Sequence, residues 1–472
     1  MDQKTKIVAT IGPATESKAK LKELMRAGVS VFRFNLKHNS HDWHKEKMAI
    51  VRDLSIDLGI EIAILADIQG PELRTGVYPN NVETIHLKEK QEVCLSEKPD
   101  KNRLWIPFES VKKVRGIPEK GPIFINDGQI ELETIKTNET KIIAKVVNGG
   151  ELGVRKSVSV PGATIDIPSI TEKDKKDIDF AINQDVDFLA LSFVRDDKDI
   201  NTLRKIIDNK NGTQHIIAKI ETLQAVENID EIISASDAIM VARGDLGMEI
   251  PFEKVPRVQK DLIHKCRIAS KPVIVATQML KSMVSSPIPS RAEVADVANA
   301  VFDKSDAVML SEETTVGQYP IKTVQSMARI VRYNEDHSFV DDLDYTPTDF
   351  QEIVIASSIR FSHRKPTNHD VVGGYIVFTE SGRSARILSR FRPPLPIYAF
   401  TPNSCTAHQM ALSSGVIPQR MKLSKNPDTN IKNAIDLLHR KRLLTKGDKL
   451  IVTFGQNVGE AGGTNSLTIV DV

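Results

Sequence analysis

The 472-residue chain carries 64 Lys and Arg against 62 Asp and Glu, a formal net charge of +2, with 40% hydrophobic and 27% charged residues. This near-neutral balance excludes a general nucleic-acid binder or a polybasic membrane binder, and the length points to about three domains. Three distant cysteines (Cys94, Cys266, Cys405) exclude a disulfide framework and a zinc cluster; with no signal-like or membrane-length apolar run in sight, a soluble cytoplasmic protein is expected.

Along the chain, eight short apolar runs end in polar residues and lead into amphipathic helical segments. They are KIVATI (6–11), VSVFRFN (29–35), IAILADIQG (62–70), DFLALSFV (187–194), HIIAKIE (215–221), DAIMVARGD (237–245), PVIVATQ (272–278) and DAVMLSEE (306–313). Near-continuous Val/Ile/Leu/Ala runs mark parallel strands buried on both faces. Eight of them alternating with helices predict a (β/α)8 TIM barrel rather than an open doubly wound sheet.

Between the third and fourth runs the pattern changes. GVYPNNVETIHL, EVCLS, GPIFINDGQIELETI, KIIAKVVNGGELG and KSVSVPG show alternation, Thr/Val enrichment and Gly-Asn-Asp turns. They predict an antiparallel β insert, residues 71–167, on the loop after the third strand. The barrel then comprises 1–70 and 168–345. From 346 to 472, GGYIVFTESG, PIYAFT, KLIVTFG and SLTIVDV alternate with SARILSRF and TNIKNAIDLLHRK, a small α/β domain. EDHSFVDDLDYTPTD reads as the linker to it. SRAEVADVANAV predicts a helix with a capping box from Ser290 to Glu293.

Barrels of this kind carry their chemistry at the C-terminal ends of the strands. Those ends supply Thr10, Arg33 with Asn35, Asp67, Ser192, Lys219 with Glu221, Asp245 and Thr277. Lys219 and Glu221, two residues apart, face the mouth together. Glu221 and Asp245 on adjacent strands form a hard oxygen pair for a divalent ion such as Mg2+, and Lys219 beside it can stabilise an oxyanion. In ARGDLG, Gly244 and Gly247 flank Asp245 and let backbone N–H groups approach a carboxylate or phosphate. On a strand, Arg33, Asn35 and Lys37 would point the same way, because side chains alternate faces.

Arg74, in GPELRTG, and Lys156, in GVRKSVSVPG, stand on the two connections of the insert and suit a phosphate chain held between lid and barrel. In the last domain, Thr379, Ser381, Gly382, Arg383 and Ser384 lie between a strand and a helix as a phosphate cradle, with ordinary hydroxyl capping as the alternative and Glu380 as an opposing charge. GxGxxG, GxxxxGK[ST], HExxH and GxSxG are absent, which excludes a Rossmann or P-loop nucleotide site.

Taken in order, TKIVATIGPA, FRFNLKH, ADIQGPELRTG, VPGATIDIPSITEKD, SFVR, AKIET, VARGDLGMEIP, ATQMLKSM, PSRAEVADVANAV, MLSEETTVGQYP and GGTNS resemble the pyruvate kinases over the length of the chain. The resemblance implies a barrel, a β-barrel lid domain and a C-terminal regulatory α/β domain. It implies transfer of the phosphoryl group of phosphoenolpyruvate to ADP, a phosphotransferase reaction, with Mg2+ or Mn2+. It assigns the phosphoryl group to Arg33, the metal to Glu221 and Asp245, and charge stabilisation to Lys219. Ala242, Arg243, Gly244 and Asp245 would meet the substrate, and Thr277 would position the proton donor. Thr10, Pro13, Asn35, His38, Arg74 and Lys156 would line the ADP/ATP side. A homotetramer and a phosphorylated effector are also implied, with no nucleic acid or membrane partner.

The chain departs from that pattern where the family uses a serine, with Asn35, Asp67 and the carbonyl of residue 68, to hold K+. Here Lys37 replaces the serine, and Ile68 replaces a threonine. An ammonium is itself a compact monovalent cation, so Lys37 is expected to stand in for K+, paired with Glu72 or Asp67; the alternative is that Lys37 bends out to solvent and K+ binds with one ligand fewer. Gln69, Asn126 and Glu312 are further departures; Asn126 leaves Asp127 without its usual acidic neighbour. Two competing readings are a metal-dependent lyase of pyruvate enolates, which would not need Arg74 and Lys156 on a lid, and a non-catalytic sugar-phosphate-binding homologue, which would not need Lys219, Glu221, Asp245 and Thr277.

Overall fold

The computed structural model describes residues 3–338, 343–362, 372–445, 447–455 and 463–472. Residues 339–342 of the expected linker and Gly462 of GGTNS lie outside them. All eight apolar runs form strands: Lys6–Thr10, Val29–Asn35, Ala63–Asp67, Phe188–Leu191, His215–Ile220, Ala238–Ala242, Val273–Ala276 and Ala307–Leu310. They close into a parallel barrel in chain order, the last pairing with the first.

The continuous hydrophobicity of these runs has a simple cause. Alternate residues point to opposite faces, and both faces are covered. Val8, Val31, Leu65, Phe188, Ile217, Met240 and Ile274 fill the interior, while Ile7, Ala9, Phe32, Phe34, Ile64 and Ile239 pack under the outer helices. Ala411 and Leu412 of the C-terminal region join the interior cluster and seal one end.

Local signals fix the helix ends. Ser17 accepts the N–H of Lys20 at the start of Lys18–Ala27, and Gly28, at φ 117, closes that helix in a conformation costly for any residue with a Cβ. The helix Arg291–Phe302 opens with the capping box between Ser290 and Glu293.

The insert forms a six-stranded sheet and two two-stranded ribbons around an apolar core that includes Val93, Leu95, Ile106, Phe108, Ile123, Leu132 and Val146. The hydrogen-bonded ring that a closed lid barrel would have is not formed among the described residues. The sheet is not purely antiparallel either: Glu92–Ser96 pairs in parallel with Leu104–Pro107. GVYPNN is a loop with a short 3-10 turn at Pro79–Asn81, because Asn80 and Asn81 take left-handed backbone angles. The two connections of the insert run side by side. Arg74 bridges Ser157 in antiparallel fashion, Thr75 N–H donates to the Lys156 carbonyl and Lys156 N–H to Thr75 Oγ1, both at 2.8 Å.

The C-terminal region is a five-stranded sheet, Val416–Arg420, Ile397–Thr401, Val372–Phe378, Lys449–Gly455 and Thr464–Asp471 in spatial order. The last strand is antiparallel to its neighbour. Val416–Arg420 escapes the sequence reading because Pro418 interrupts it. Proline lacks a ladder donor and is confined to sheet edges, and this strand is an edge.

Candidate active site

Strand register brings the polar rim together. Thr10 is level with Arg33, and Asn35 with Asp67. Arg33 donates from Nε to Asp67 Oδ2 at 2.7 Å, with Nη2 also at 2.7 Å, and from Nη1 to Thr10 Oγ1 at 3.0 Å. Thr10 Oγ1 in turn donates to the Leu310 carbonyl. Thr10, expected on the nucleotide side, is therefore a buried support for Arg33, its hydroxyl consumed on both sides.

Lys219 is the hub. Its Nζ lies 2.8 Å from Ser192 Oγ, 2.9 Å from Glu221 Oε1 and 3.5 Å from Asp67 Oδ1. Ser192 Oγ donates a hydrogen bond to the Ile68 carbonyl at 2.8 Å. Burial alone would lower the Lys219 pKa, but the Asp67 and Glu221 carboxylates hold it above the ordinary lysine value. Burial would likewise raise Asp67, yet Lys219 and Arg33 hold it below the carboxylate range. Lys219 and Asp67 therefore both stay charged. Ser192 stands among the strand-end residues, but nothing local in the sequence marks it as the partner of Lys219.

Glu221 accepts the Phe193 N–H at 2.7 Å, and Phe193 sits at φ 53, an unfavourable angle that the surrounding contacts maintain. Asp245 lies in the first turn of the helix Arg243–Glu249, which follows the sixth strand. Burial first, then the negative charge of Glu221, pushes its pKa up to about 7. Two carboxylates crowded in this way suit a divalent cation, which would relieve the repulsion. Among the described residues no group of three or more His, Cys, Asp or Glu forms a ready-made metal cage. The pair thus fits Mg2+, which commonly takes one or two carboxylates and fills its remaining positions with water and substrate oxygens.

Gly244 N–H donates to Thr277 Oγ1 at 2.8 Å, and Thr277 and Gln278 both have positive φ, 70 and 57. A β-branched residue in that region is strained. Ala242 is buried at the end of its strand. Arg243 does not serve the mouth with its side chain. Its guanidinium holds Asp296 at 2.6 Å and the Thr277 carbonyl at 2.8 Å, so it anchors the loop that presents Thr277.

At the second strand the extended backbone ends at Asn35 and the chain turns, so alternation does not place Lys37. Its N–H donates to Asn35 Oδ1 at 3.1 Å, and its Nζ reaches Glu72 Oε2 at 2.7 Å. The other Glu72 oxygen takes Arg74 Nη2 at 2.6 Å. Each oxygen donor expected for K+ has a protein partner: Asn35 from the Lys37 N–H, Asp67 from Arg33 and Ile68 from Ser192. His38 and Pro13 are exposed on neighbouring loops. Partial desolvation, then Lys37 and Arg33, lowers the His38 pKa.

A cleft of about 340 Å3 runs from Glu221 and Asp245 outward between insert and barrel, with Glu72, Ser157, Ser159, Leu223 and Glu249 among its walls. The C-terminal cradle is closed on itself. Arg383 binds Asp349 at 2.7 Å and also Gln351, Ser384 bonds Thr464 and Gln351, and the Gly382 N–H is taken by Thr379. Ser381 is exposed.

Comparison with known proteins agrees with this arrangement. The pyruvate kinase barrel domain family matches residues 2–324 and the pyruvate kinase alpha/beta domain family residues 361–470. A pyruvate kinase of Agrobacterium vitis is 39% identical over 481 residues, covering 99% of this chain and 98% of the relative. Those of Geobacillus stearothermophilus and Staphylococcus aureus (strain MRSA252) are each 40% identical, covering 99% of this chain and 80% of the relative. With both families matched and a rim of this composition, the chain belongs to the pyruvate kinase family.

Proposed function

We infer that the protein transfers the phosphoryl group of phosphoenolpyruvate to ADP, giving pyruvate and ATP. The observation that carries this reading is Lys219, a buried ammonium in contact with Glu221, Ser192 and Asp67 at the barrel mouth. Phosphoryl transfer depends mostly on positioning and on neutralising charge. A cation clamped by three groups supplies both without rearranging.

In this reading Arg33 grips the phosphoryl group. Asp67 and Thr10 set its plane, and a guanidinium has five N–H donors, enough to leave some for substrate. Lys219 stays protonated and neutralises charge as the enolate forms. The substrate carboxylate takes the backbone N–H groups around Gly244 and Asp245, directly after Ala242 and Arg243, and relieves Thr277 Oγ1 of the Gly244 N–H, which leaves Thr277 to position the proton donor at the methylene carbon. Glu221 and Asp245 would hold Mg2+ or Mn2+, which when bound supplies a divalent positive charge beside the substrate oxygens. Pro13, Asn35, His38, Arg74 and Lys156 face the nucleotide, with residues 71–167 as the lid.

Lys37 is proposed as the built-in replacement for K+. Its support is the fixed ion pair with Glu72, whose carboxylate also holds Arg74 on the lid connection. Residues 346–472 are proposed as the regulatory domain, the Thr379–Ser384 loop as the place of a phosphorylated effector, and a cytoplasmic homotetramer as the assembly. Among the described residues no helix is long and apolar enough to cross a membrane.

The test is pyruvate formation from phosphoenolpyruvate, ADP and Mg2+, with K+ titrated from zero against a bulky organic cation at constant ionic strength. Turnover supports the kinase. Its absence under every salt condition favours a non-catalytic homologue.

A further inference from the structure

Glu249 lies one helical turn beyond Asp245, at the end of the helix Arg243–Glu249. Its carboxylate accepts Ser159 Oγ at 2.5 Å, and the backbone N–H of Leu223 helps to stabilise its charge. Ser159 belongs to Val158–Ser159, the strand by which the insert returns towards the barrel. Leu223 opens the short helix Leu223–Glu227, two residues after Glu221, with Thr222 as its N-cap. One carboxylate therefore ties together the segment after Glu221, the helix bearing Asp245 and the returning strand of the lid.

The chemistry of each bond favours a positioning role. The first N–H groups of a helix have no intrahelical acceptor, and the Glu249 carboxylate offers the Leu223 N–H a negative partner. Groups behind metal ligands set ligand geometry, and removing them typically costs 10–100-fold in metal affinity. Glu249 also lines the cleft that holds Glu221 and Asp245. Truncating it opens onto that cleft and strands no buried charge, so the fold should survive.

We propose that Glu249 is a positioning residue that fixes the spacing between the Glu221 and Asp245 carboxylates and latches the lid's returning strand to that pair. This rests on the reading of Glu221 and Asp245 as the divalent-cation pair.

The experiment compares wild type, Glu249→Ala, Glu249→Gln and Ser159→Ala. It measures Mn2+ binding to the substrate-free protein by electron paramagnetic resonance, amide hydrogen exchange over residues 157–167, kcat and KM, and the thermal midpoint. Glu249→Ala should weaken Mn2+ binding about tenfold, quicken exchange in the lid segment and raise the KM for ADP, at an unchanged midpoint. Glu249→Gln, whose amide oxygen can take the place of the carboxylate oxygen, should largely restore Mn2+ binding. Ser159→Ala should quicken lid exchange and leave Mn2+ affinity at the wild-type value. If Glu249→Ala binds Mn2+ like wild type, the proposal is wrong. It is equally wrong if Glu249→Gln fails together with Glu249→Ala and both lower the midpoint, since that is a purely structural role. A wild type that forms pyruvate isolates such a failure to Glu249. A wild type that neither binds Mn2+ nor turns over removes the parent reading, and this inference with it.

Discussion

Lys37 Nζ lies 2.7 Å from Glu72 Oε2, across a gap of 35 residues, and joins the loop after the second barrel strand to the start of the insert. The pair is partly exposed, so its contribution to stability is small; its value is to hold a positive charge at one place. Wild-type turnover should therefore be independent of K+. Lys37→Ser should lose about tenfold or more of its activity in the organic cation alone and regain it on adding K+. Strong K+ activation of the wild type would sink the idea.

Lys219→Met removes the ammonium between Asp67, Glu221 and Ser192. Removing one preorganised group that stabilises developing charge costs about 10²–10³-fold in kcat, and that is the expected minimum here. Lys219→Arg should not rescue it, because a planar fork cannot sit where a point charge is enclosed. Single-turnover pyruvate formation at saturating substrates decides; a loss confined to KM would count against the assigned role.

Arg33→Met leaves Asp67, only 2% exposed, without its closest partner. Breaking a buried ion pair from one side costs about 3–5 kcal/mol. Urea unfolding should show a loss of that order, with activity abolished. The double variant Arg33→Met/Asp67→Asn should be more stable than the sum of the single effects implies, since neighbours that share partners are not additive. Additive losses would mean that Lys219 alone satisfies Asp67.

His408 predicts a pH dependence at the junction of barrel and C-terminal region. Its Nδ1 lies 3.0 Å from Asp187 Oδ1 and its Nε2 3.2 Å from Glu61 Oε2, with Arg52 beside Asp187 and Arg420 on Glu61. Burial lowers its pKa, but the Asp187 and Glu61 carboxylates outweigh that and raise it above the ordinary histidine value. A raised folded-state pKa gives stability that is complete below the unfolded value near 6.5 and is lost as pH rises through the folded value. Between pH 6 and pH 9, wild type should thus lose more thermal stability than His408→Gln. Parallel profiles for the two proteins would refute the linkage.

How far the molecule is legible from its sequence depends on the range of the signal. The eight barrel strands are legible because burial on both faces writes itself into consecutive residues, as in Ala63–Asp67. The helix at Arg291 is legible because Ser290 and Glu293 are three residues apart. Val416–Arg420 is hidden by Pro418, and the parallel pairing of Glu92–Ser96 with Leu104–Pro107 by the lack of any local mark of strand direction. Thr10 and Arg243 read as ligand-facing from the family resemblance, yet Leu310, Asp296 and Thr277 take up polar atoms of their side chains. The bond from Ser159 to Glu249 spans 90 residues, and no spacing rule reaches that far.

The sequence by itself determined which residues reach the rim: side-chain alternation and the turn after each strand deliver Arg33, Asp67, Lys219, Glu221, Asp245 and Thr277 to one end of the barrel. Only the tertiary structure decided their partners. Closing the ring sets Asn35 level with Asp67 and Thr10 level with Arg33, so Arg33 neutralises Asp67, Lys219 spans Asp67 and Glu221, and Asp245 is left with a raised pKa. Periodicity acts over a few residues, whereas an electrostatic partner is chosen by distance in space, which barrel register and closure alone establish.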